Sequence, residues 1–591
     1  MHTGVAKAEG RVAYLTAGAL YCALGHGVEA CASALLTSQV SMGQSEFTLQ
    51  SGRRTPVGRI TEEVFSMLPA AAHGVASRLD QLLLGACLET LGQLPSQLLP
   101  ARTQLIYASS KGNIAYLTTG AVDYGQTGLV EQAQRINEAL GLRREPLVVS
   151  QACVSSLAAV VLAQRLVRGG EVDNVLVCTG DELTPFVVEG FAALRALSYA
   201  PARPFDSARS GLNLGESAAS VLVTSDAALV REEQPMEICG GGFSDDAYHL
   251  SAPSADGMPL HEAIEEALRE AGVGGAEVGL VSPHGTATRY NDEMESQALA
   301  LSGLSQTPAV ALKGALGHTL GASGLSELLL DSEFLRRQQV CGTPGFSACG
   351  TGHSVAVSRV PHPLRDARYL LKTASGFGGC NVALVCGLAT RGAHRASDVV
   401  GGQPFRCSLV REVELESGRL LVDGRVVLDG GERGFGQFIR EAYGRYEEVD
   451  NKFARLDGQS QLAAVGMRYL LDGVARAAMR HSPVLFANHN GCMARDQEHL
   501  AQLARAGQGS PSIFLYTLPS TALGEVCIRH GLQGETLFLM AAEEPSVVRF
   551  CQLMQLLRPR DASLAIAGWC DYTLQGYRAH MMLFNIREGS R

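Results

Sequence analysis

Val148-Val149-Ser150-Gln151-Ala152-Cys153-Val154-Ser155-Ser156-Leu157, running on through Ala158 to Arg168, is the stretch whose reading decides the fold. Pro146-Leu147-Val148-Val149 at its head is short, apolar and β-branched, the pattern of a buried strand. Val154 to Val167 is apolar almost all round and stops at Gly169-Gly170, which predicts a buried helix with a glycine end. Cys153 then falls on a tight strand-to-helix turn, at the positive end of a helix inside the core. That position is expected to favour thiolate over thiol and to let free backbone N–H groups face a bound carbonyl. Taken alone, a small buried hydrophobe fits Cys153 as well as a nucleophile does. Three later segments separate the two readings.

The totals narrow the field first. A chain of 591 residues has room for several domains, and 46% apolar with 18% charged residues is an ordinary globular composition. A net charge of −10 argues against a dedicated nucleic-acid binder and leaves room only for a local basic patch. The 15 cysteines are scattered, odd in number and free of CxxC pairs, so they read as reduced thiols of a cytoplasmic enzyme. Their spacing with histidine offers no zinc site, so no metal is expected. Arg11 to Leu36 is Ala-rich but broken by Gly18, Gly25 and Gly27, and reads as a strand, a glycine loop and a helix rather than a secretory signal. No apolar run long enough to span a membrane is present.

Residues 11 to about 390 alternate short apolar strands with amphipathic or buried helices, the mark of a layered α/β domain. Strands are expected at 12–15, 104–108, 175–178, 219–223, 280–282 and 382–385, and helices at 75–91, 131–140 and 260–271. The domain boundaries follow: 1–390, a Gly- and Pro-punctuated linker at 391–405, and a smaller unit at 406–591. In that smaller unit 412–428 reads as a hairpin region, 459–480 as a helix and 483–488 as a strand. An internal echo links the two units: Tyr107-Ala108-Ser109-Ser110-Lys111-Gly112-Asn113 has its counterpart in Phe486-Ala487-Asn488-His489-Asn490-Gly491-Cys492. Counted from Gly141-Leu142 and from Gly531-Leu532, Glu543 falls where Cys153 does, so the smaller unit resembles the front half of the first without its nucleophile.

Pro283-His284-Gly285-Thr286-Ala287-Thr288 places a histidine at a strand end beside glycine and two hydroxyls, suited to meeting a ligand closely. Lys313-Gly314-Ala315-Leu316-Gly317-His318-Thr319-Leu320-Gly321-Ala322 lets a helix start press against other backbone, with His318 at the mouth. Lys313 and Glu327 read either as a structural ion pair or as groups that hold the imidazole. Ser375-Gly376-Phe377-Gly378-Gly379-Cys380-Asn381 is a glycine-rich turn whose N–H groups can approach a substrate oxygen while Phe377 closes a pocket.

Together with Arg203-Pro204-Phe205-Asp206, Gly215-Glu216 and Asp245-Asp246-Ala247-Tyr248-His249, these segments resemble the β-ketoacyl-acyl-carrier-protein synthases over about 11–390. The resemblance implies a layered α-β-α-β-α thiolase-like fold, followed here by a smaller α/β synthase-like domain. It implies decarboxylative Claisen condensation in fatty acid or polyketide synthesis. Cys153 would take the acyl chain, His284 and His318 would hydrogen-bond the malonyl thioester, and Lys313 and Glu327 would organise that site. The N–H groups of Cys153 and Phe377 would form the oxyanion hole, with Thr286, Thr288 and Gly378 at the substrate arm. No cofactor is implied, because phosphopantetheine arrives on the acyl carrier protein. A homodimer or a heterodimer with another synthase is implied as well.

Three departures stand out. Gln151 replaces a threonine, Ala287 a glycine and Cys380 a threonine, each expected to reshape the acyl pocket. The tail, through Ser510-Pro511-Ser512-Ile513-Phe514-Leu515-Tyr516 and Gly524-Glu525-Val526, resembles synthase-like proteins of flexirubin or aryl-polyene pathways. Two alternatives remain at this point: a thiolase-type acyltransferase, for which Cys380 is the tempting second thiol, and a non-catalytic chain-length partner. Arg53, Arg54 and Lys111 are candidates for docking the carrier protein.

Overall fold

The computed structural model describes residues 11–37, 45–75, 77–118, 127–389, 405–445 and 451–588. The linker expected over 391–405 lies outside them except for Phe405, which opens a strand.

The first unit is two sheets with helices between and outside them. One sheet is built from β1 (Tyr14–Cys22), β2 (Thr103–Ala108), β3 (Leu147–Val149), β4 (Asn174–Asp181) and β5 (Ser217–Thr224), in the order β3-β2-β4-β5-β1. The other holds β6 (Met236–Asp245), β7 (Val278–Ser282), β8 (Tyr369–Ser375) and β9 (Cys380–Leu388), in the order β7-β8-β9-β6. β1 and β6 join them through a short antiparallel pairing at Tyr14 and Glu237.

Period-two alternation decides which side chains go where. Ile106 and Ala108 of β2 pack inward with the helices Ser155–Arg168 and Ser323–Arg337. Leu105 and Tyr107 face outward onto the helices Arg78–Gly92 and Leu129–Ala139. On the far side, Met258–Ala271 and Arg289–Leu301 cover the second sheet. The result is the five-layered thiolase-like arrangement. Ser155–Arg168 is buried on nearly every face because it is the middle layer, which is why its sequence shows no polar stripe.

The smaller unit repeats only the first sheet. β10 (Phe405–Glu416), β11 (Val484–Asn488), β12 (Thr536–Met540), β13 (Leu564–Tyr572) and β14 (Tyr577–Glu588) run in the order β12-β11-β13-β14-β10. The strands Arg419–Val422 and Arg425–Asp429 extend this sheet beyond β10, so the expected hairpin is a three-stranded meander. The expected helix at 459–480 ends at Leu470, where Asp472-Gly473 turns the chain with Gly473 at φ +76°.

β3 and β12 lie edge to edge and antiparallel, with Val149 opposite Leu539 and Val148 opposite Met540, and Ser150 N–H donates to Phe538 O at 3.3 Å. Val149 thus faces its own counterpart in the internal echo, so the two units are related by a local two-fold. That is an isologous contact made within one chain. In this register Glu543 occupies the position of Cys153, exposed and four residues ahead of the helix Val547–Met554.

Candidate active site

β3 stops at Val149, a single 3-10 turn covers Ala152–Val154, and the central helix starts at Ser155. Ala152 takes φ +47°, a left-handed conformation that costs a non-glycine residue energy and turns the chain sharply. The turn is tied by Gln151 N–H donating to Ser155 Oγ at 2.8 Å, and by Ser155 Oγ donating to Ala152 O at 2.7 Å.

Cys153 is 7% exposed, and its Sγ lies 3.1 Å from His318 Nε2. His318 Nδ1 is 3.0 Å from Ser323 Oγ, and the His284 ring stands nearly perpendicular to the His318 ring at 5.1 Å. The thiol and one nitrogen of each imidazole fall within 4.8 Å of one another. The backbone N–H groups of Phe377 and of Cys153 itself each lower the proton affinity of the sulfur. Phe377 stacks on Phe191 at 5.9 Å. A cavity of about 450 Å³ opens onto this group, lined by Cys153, His284, His318, Thr286, Thr288 and Phe377 among others, with Arg289 and Tyr290 exposed at its mouth.

His284 is held through its backbone. Its N–H donates to Glu295 Oε1 at 2.6 Å, and its carbonyl accepts from Lys313 Nζ at 2.6 Å. Lys313 also meets Glu327 Oε1 at 2.7 Å, and the other oxygen of Glu327 takes Lys372 Nζ at 2.5 Å. Lys372 further donates to Ser282 O at 3.3 Å and Oγ at 3.1 Å, pinning the strand end that carries His284. Lys372 and Glu295 are missing from the sequence reading. A lysine inside the apolar run Tyr369-Leu370-Leu371-Lys372 was the signal for the first; nothing in the sequence pairs Glu295 with the His284 backbone.

Burial and these ammonium groups set the charge state. Burial pushes the Cys153 thiol up to about 12, outweighing the pull of Lys313 and of the two N–H groups. The thiolate expected from the helix end is therefore not the resting form. Burial, reinforced by Lys313, holds both imidazoles well below the usual histidine value, with Lys372 also acting on His284. Burial raises Glu327, but Lys313 and Lys372 together carry it below the usual carboxylate range. A neutral thiol thus faces two neutral imidazoles. The spacing of sulfur and ring nitrogens would admit a soft divalent cation, yet Lys313 opposes positive charge at all three groups.

Other expected residues go elsewhere. Thr286 and Thr288 line the cavity and share a 2.9 Å hydroxyl contact. Gly378 does not line it: its N–H donates to Leu250 O at 2.8 Å, and its backbone rests against Gly524. Gln151 and Cys380 do not shape the cavity either. Gln151 Nε2 lies 2.9 Å from Cys380 Sγ and donates to Thr536 O at 3.0 Å, so both departures face the smaller unit. Ala287 keeps φ +63°, the left-handed conformation a glycine would take freely. Lys111 is no docking residue: its side chain is buried, with Nζ 2.6 Å from Asp496 and bonded to Thr517 O. Arg53 is exposed and sits over the Tyr199 ring at 3.3 Å.

A thiol and two uncharged imidazoles converge at strand ends of a doubled α/β fold. Residues 61–228 match the β-ketoacyl synthase N-terminal domain and residues 236–347 the β-ketoacyl synthase C-terminal domain. These two matches lie within the first unit of the chain and cover most of it. Its curated relatives include 3-oxoacyl-[acyl-carrier-protein] synthase 2 of Vibrio cholerae, 34% identical over 42% of this chain and 63% of the relative. The Rhizobium meliloti protein of the same name is 32% identical over 40% and 59%. The chain thus spans less than two thirds of these relatives. Among solved structures, the ketosynthase ApeO in complex with its chain length factor ApeC from Xenorhabdus doucetiae is 29% identical, with a TM-score of 0.55 over 64% of this chain and 98% of that one. The PfaC keto synthase-chain length factor, at 15% identity, shares the fold alone, with a TM-score of 0.76 over 97% of this chain and 78% of that one.

Proposed function

We propose that the chain is a β-ketoacyl-ACP synthase that extends an acyl or aryl-acyl chain by two carbons from malonyl carrier protein. The observation that carries this reading is the 3.1 Å contact of Cys153 Sγ with His318 Nε2, with His284 beside it at one cavity. In acyl transfer, the sulfur attacks the thioester carbonyl as its proton passes to His318. The carbonyl oxygen becomes an anion facing the N–H groups of Cys153 and Phe377, and the carrier thiol leaves with the proton. Malonyl thioester then enters and its C–C bond breaks to release carbon dioxide. His284, and His318 once its Nε2 rather than its Nδ1 carries the proton, donate hydrogen bonds to the resulting enolate oxygen. The enolate carbon attacks the acyl carbonyl, the electron pair of the broken C–S bond leaves on Cys153, and the thiolate takes up a proton from water to restore the thiol. Neutral imidazoles suit this role, since they donate without a counter-charge.

The smaller unit is read as a chain-length partner carried on the same chain. Support comes from its edge-to-edge pairing with β3, from the exposed Glu543 at the nucleophile position, and from the arrangement named in the ApeO–ApeC structure. It fills the edge that a second synthase would otherwise take. We place the chain in the cytoplasm beside its carrier protein; no helix among the described residues is long and apolar enough to cross a membrane. A thiolase-type reaction is disfavoured, since Cys380 Sγ meets Gln151 and Thr536 rather than the cavity.

Release of labelled carbon dioxide from malonyl carrier protein tests the reading. The wild type is expected to release it, and His284→Ala and His318→Ala each to lose roughly a hundredfold or more. Release unchanged in both variants would contradict the assigned roles.

A further inference from the structure

Both turns that carry the oxyanion donors rest on the smaller unit. Behind Cys153, Gln151 Nε2 donates to Thr536 O at 3.0 Å and to Thr536 Oγ1 at 3.1 Å, and Ser150 N–H donates to Phe538 O at 3.3 Å. Behind Phe377, Gly378 lies backbone to backbone against the helix Thr521–His530. A Cβ placed on Gly524 would stand 2.6 Å from Gly378 O and 2.8 Å from its Cα. At the end of that turn Cys380 Sγ is 3.5 Å from Thr536 Oγ1. Asp246 N–H donates to Gly379 O at 2.8 Å, while Asp246 O accepts from Gln533 Nε2 at 3.4 Å.

The contact at Gly524 is of a kind only glycine permits. Both partners there are backbone, so no flexible side-chain end can swing aside to admit a methyl group. Oxyanion donors need separations of about 2.7–3.1 Å from the developing charge. A displacement of about 1 Å at such a site costs on the order of a hundredfold in rate. A turn whose outer face is fixed by another unit has its inner face fixed as well.

We infer that the smaller unit sets the oxyanion hole: Gly524 and Thr536 are positioning residues that hold the N–H groups of Phe377 and Cys153 in place from behind. The inference deepens the synthase reading and rests on it for the reaction, though not for the geometry. It assigns the smaller unit a part in both chemical steps, beyond any influence on chain length.

Full-length Gly524→Ala and Thr536→Val are compared with wild type, and with Gly436→Ala as a control in the smaller unit away from both turns. Two quantities are read: hydrogen–deuterium exchange of the peptide spanning residues 374–381, and the rate of Cys153 acylation by acyl carrier protein followed by intact mass. Gly524→Ala is expected to speed exchange in that peptide about tenfold and to slow acylation on the order of a hundredfold, with KM within about twofold. Thr536→Val shifts both in the same direction by less, and serves where Gly524→Ala fails to fold. Exchange unchanged in the folded variants overturns the inference, whatever the wild type's activity. A wild type that accepts no acyl group counts against the synthase reading, and the exchange result still decides the inference.

Discussion

At Cys153, the raised proton affinity of the thiol should govern its reactivity toward an added electrophile. With the thiol pushed up to about 12, alkylation by iodoacetamide should climb about tenfold per pH unit between roughly pH 6 and pH 10, without a plateau. Cys349 is exposed and its thiol is lowered by the Thr351 hydroxyl and nearby backbone, so it should level off earlier in the same digest. A plateau for Cys153 below pH 8 would show that the helix end outweighs burial. Lys372 offers a second check. It lowers the histidine affinity for protons at His284, so Lys372→Met should move the acid limb of the condensation profile to higher pH, while a conservative Lys372→Arg should move it less. The residues that meet at the cavity were legible because His284, His318 and Phe377 fall in loops where glycine and small residues have few structural reasons to cluster, and Cys153 falls between a strand and a helix. Lys372 and Glu295 were not, because their importance lies in atoms met across strands and helices.

Of the ion pairs that join the two units, the most deeply buried lies on the central helix. Arg165, on the central helix, bonds Glu535 at 2.7 and 2.8 Å, with side chains 1% and 0% exposed, and Arg165 also donates to Leu556 O at 2.6 Å. Breaking such a pair strands a buried charge, so Glu535→Leu should cost about 3–5 kcal/mol in urea unfolding. Replacing both, as Arg165→Met with Glu535→Leu, should recover most of that loss; a double variant no more stable than the single one would mean the pair is itself strongly favourable. Element limits were harder to read than element type. β1 was expected over 12–15 but runs over Tyr14–Cys22, because Thr16-Ala17-Gly18-Ala19 has weak strand propensity and owes its conformation to pairing with β5.

The whole molecule is a two-sheet unit whose neighbour at the β3 edge is a single-sheet unit from its own chain. The echo between the units was legible as a register, since Gly141 and Gly531 end matching helices at φ +65° and +69°. What that register means in space was not legible, because strand pairing between distant segments leaves no local pattern. A Val149→Cys, Leu539→Cys pair tests whether the contact is made within one chain. Oxidation should yield a cross-linked species of the monomer mass, 62.5 kDa, whereas a covalent dimer would show that the smaller unit reaches across to another copy.

Acyl capture by a single sulfur is the claim on which the rest depends, and intact-mass analysis reads it directly. Wild type and Cys153→Ala are incubated with a panel of acyl carrier proteins of differing chain length and starter group. The account predicts one acyl adduct on the wild type, confined to part of the panel, and none on the variant. An adduct that persists in Cys153→Ala, or a wild type that stays unmodified across the panel, would contradict it.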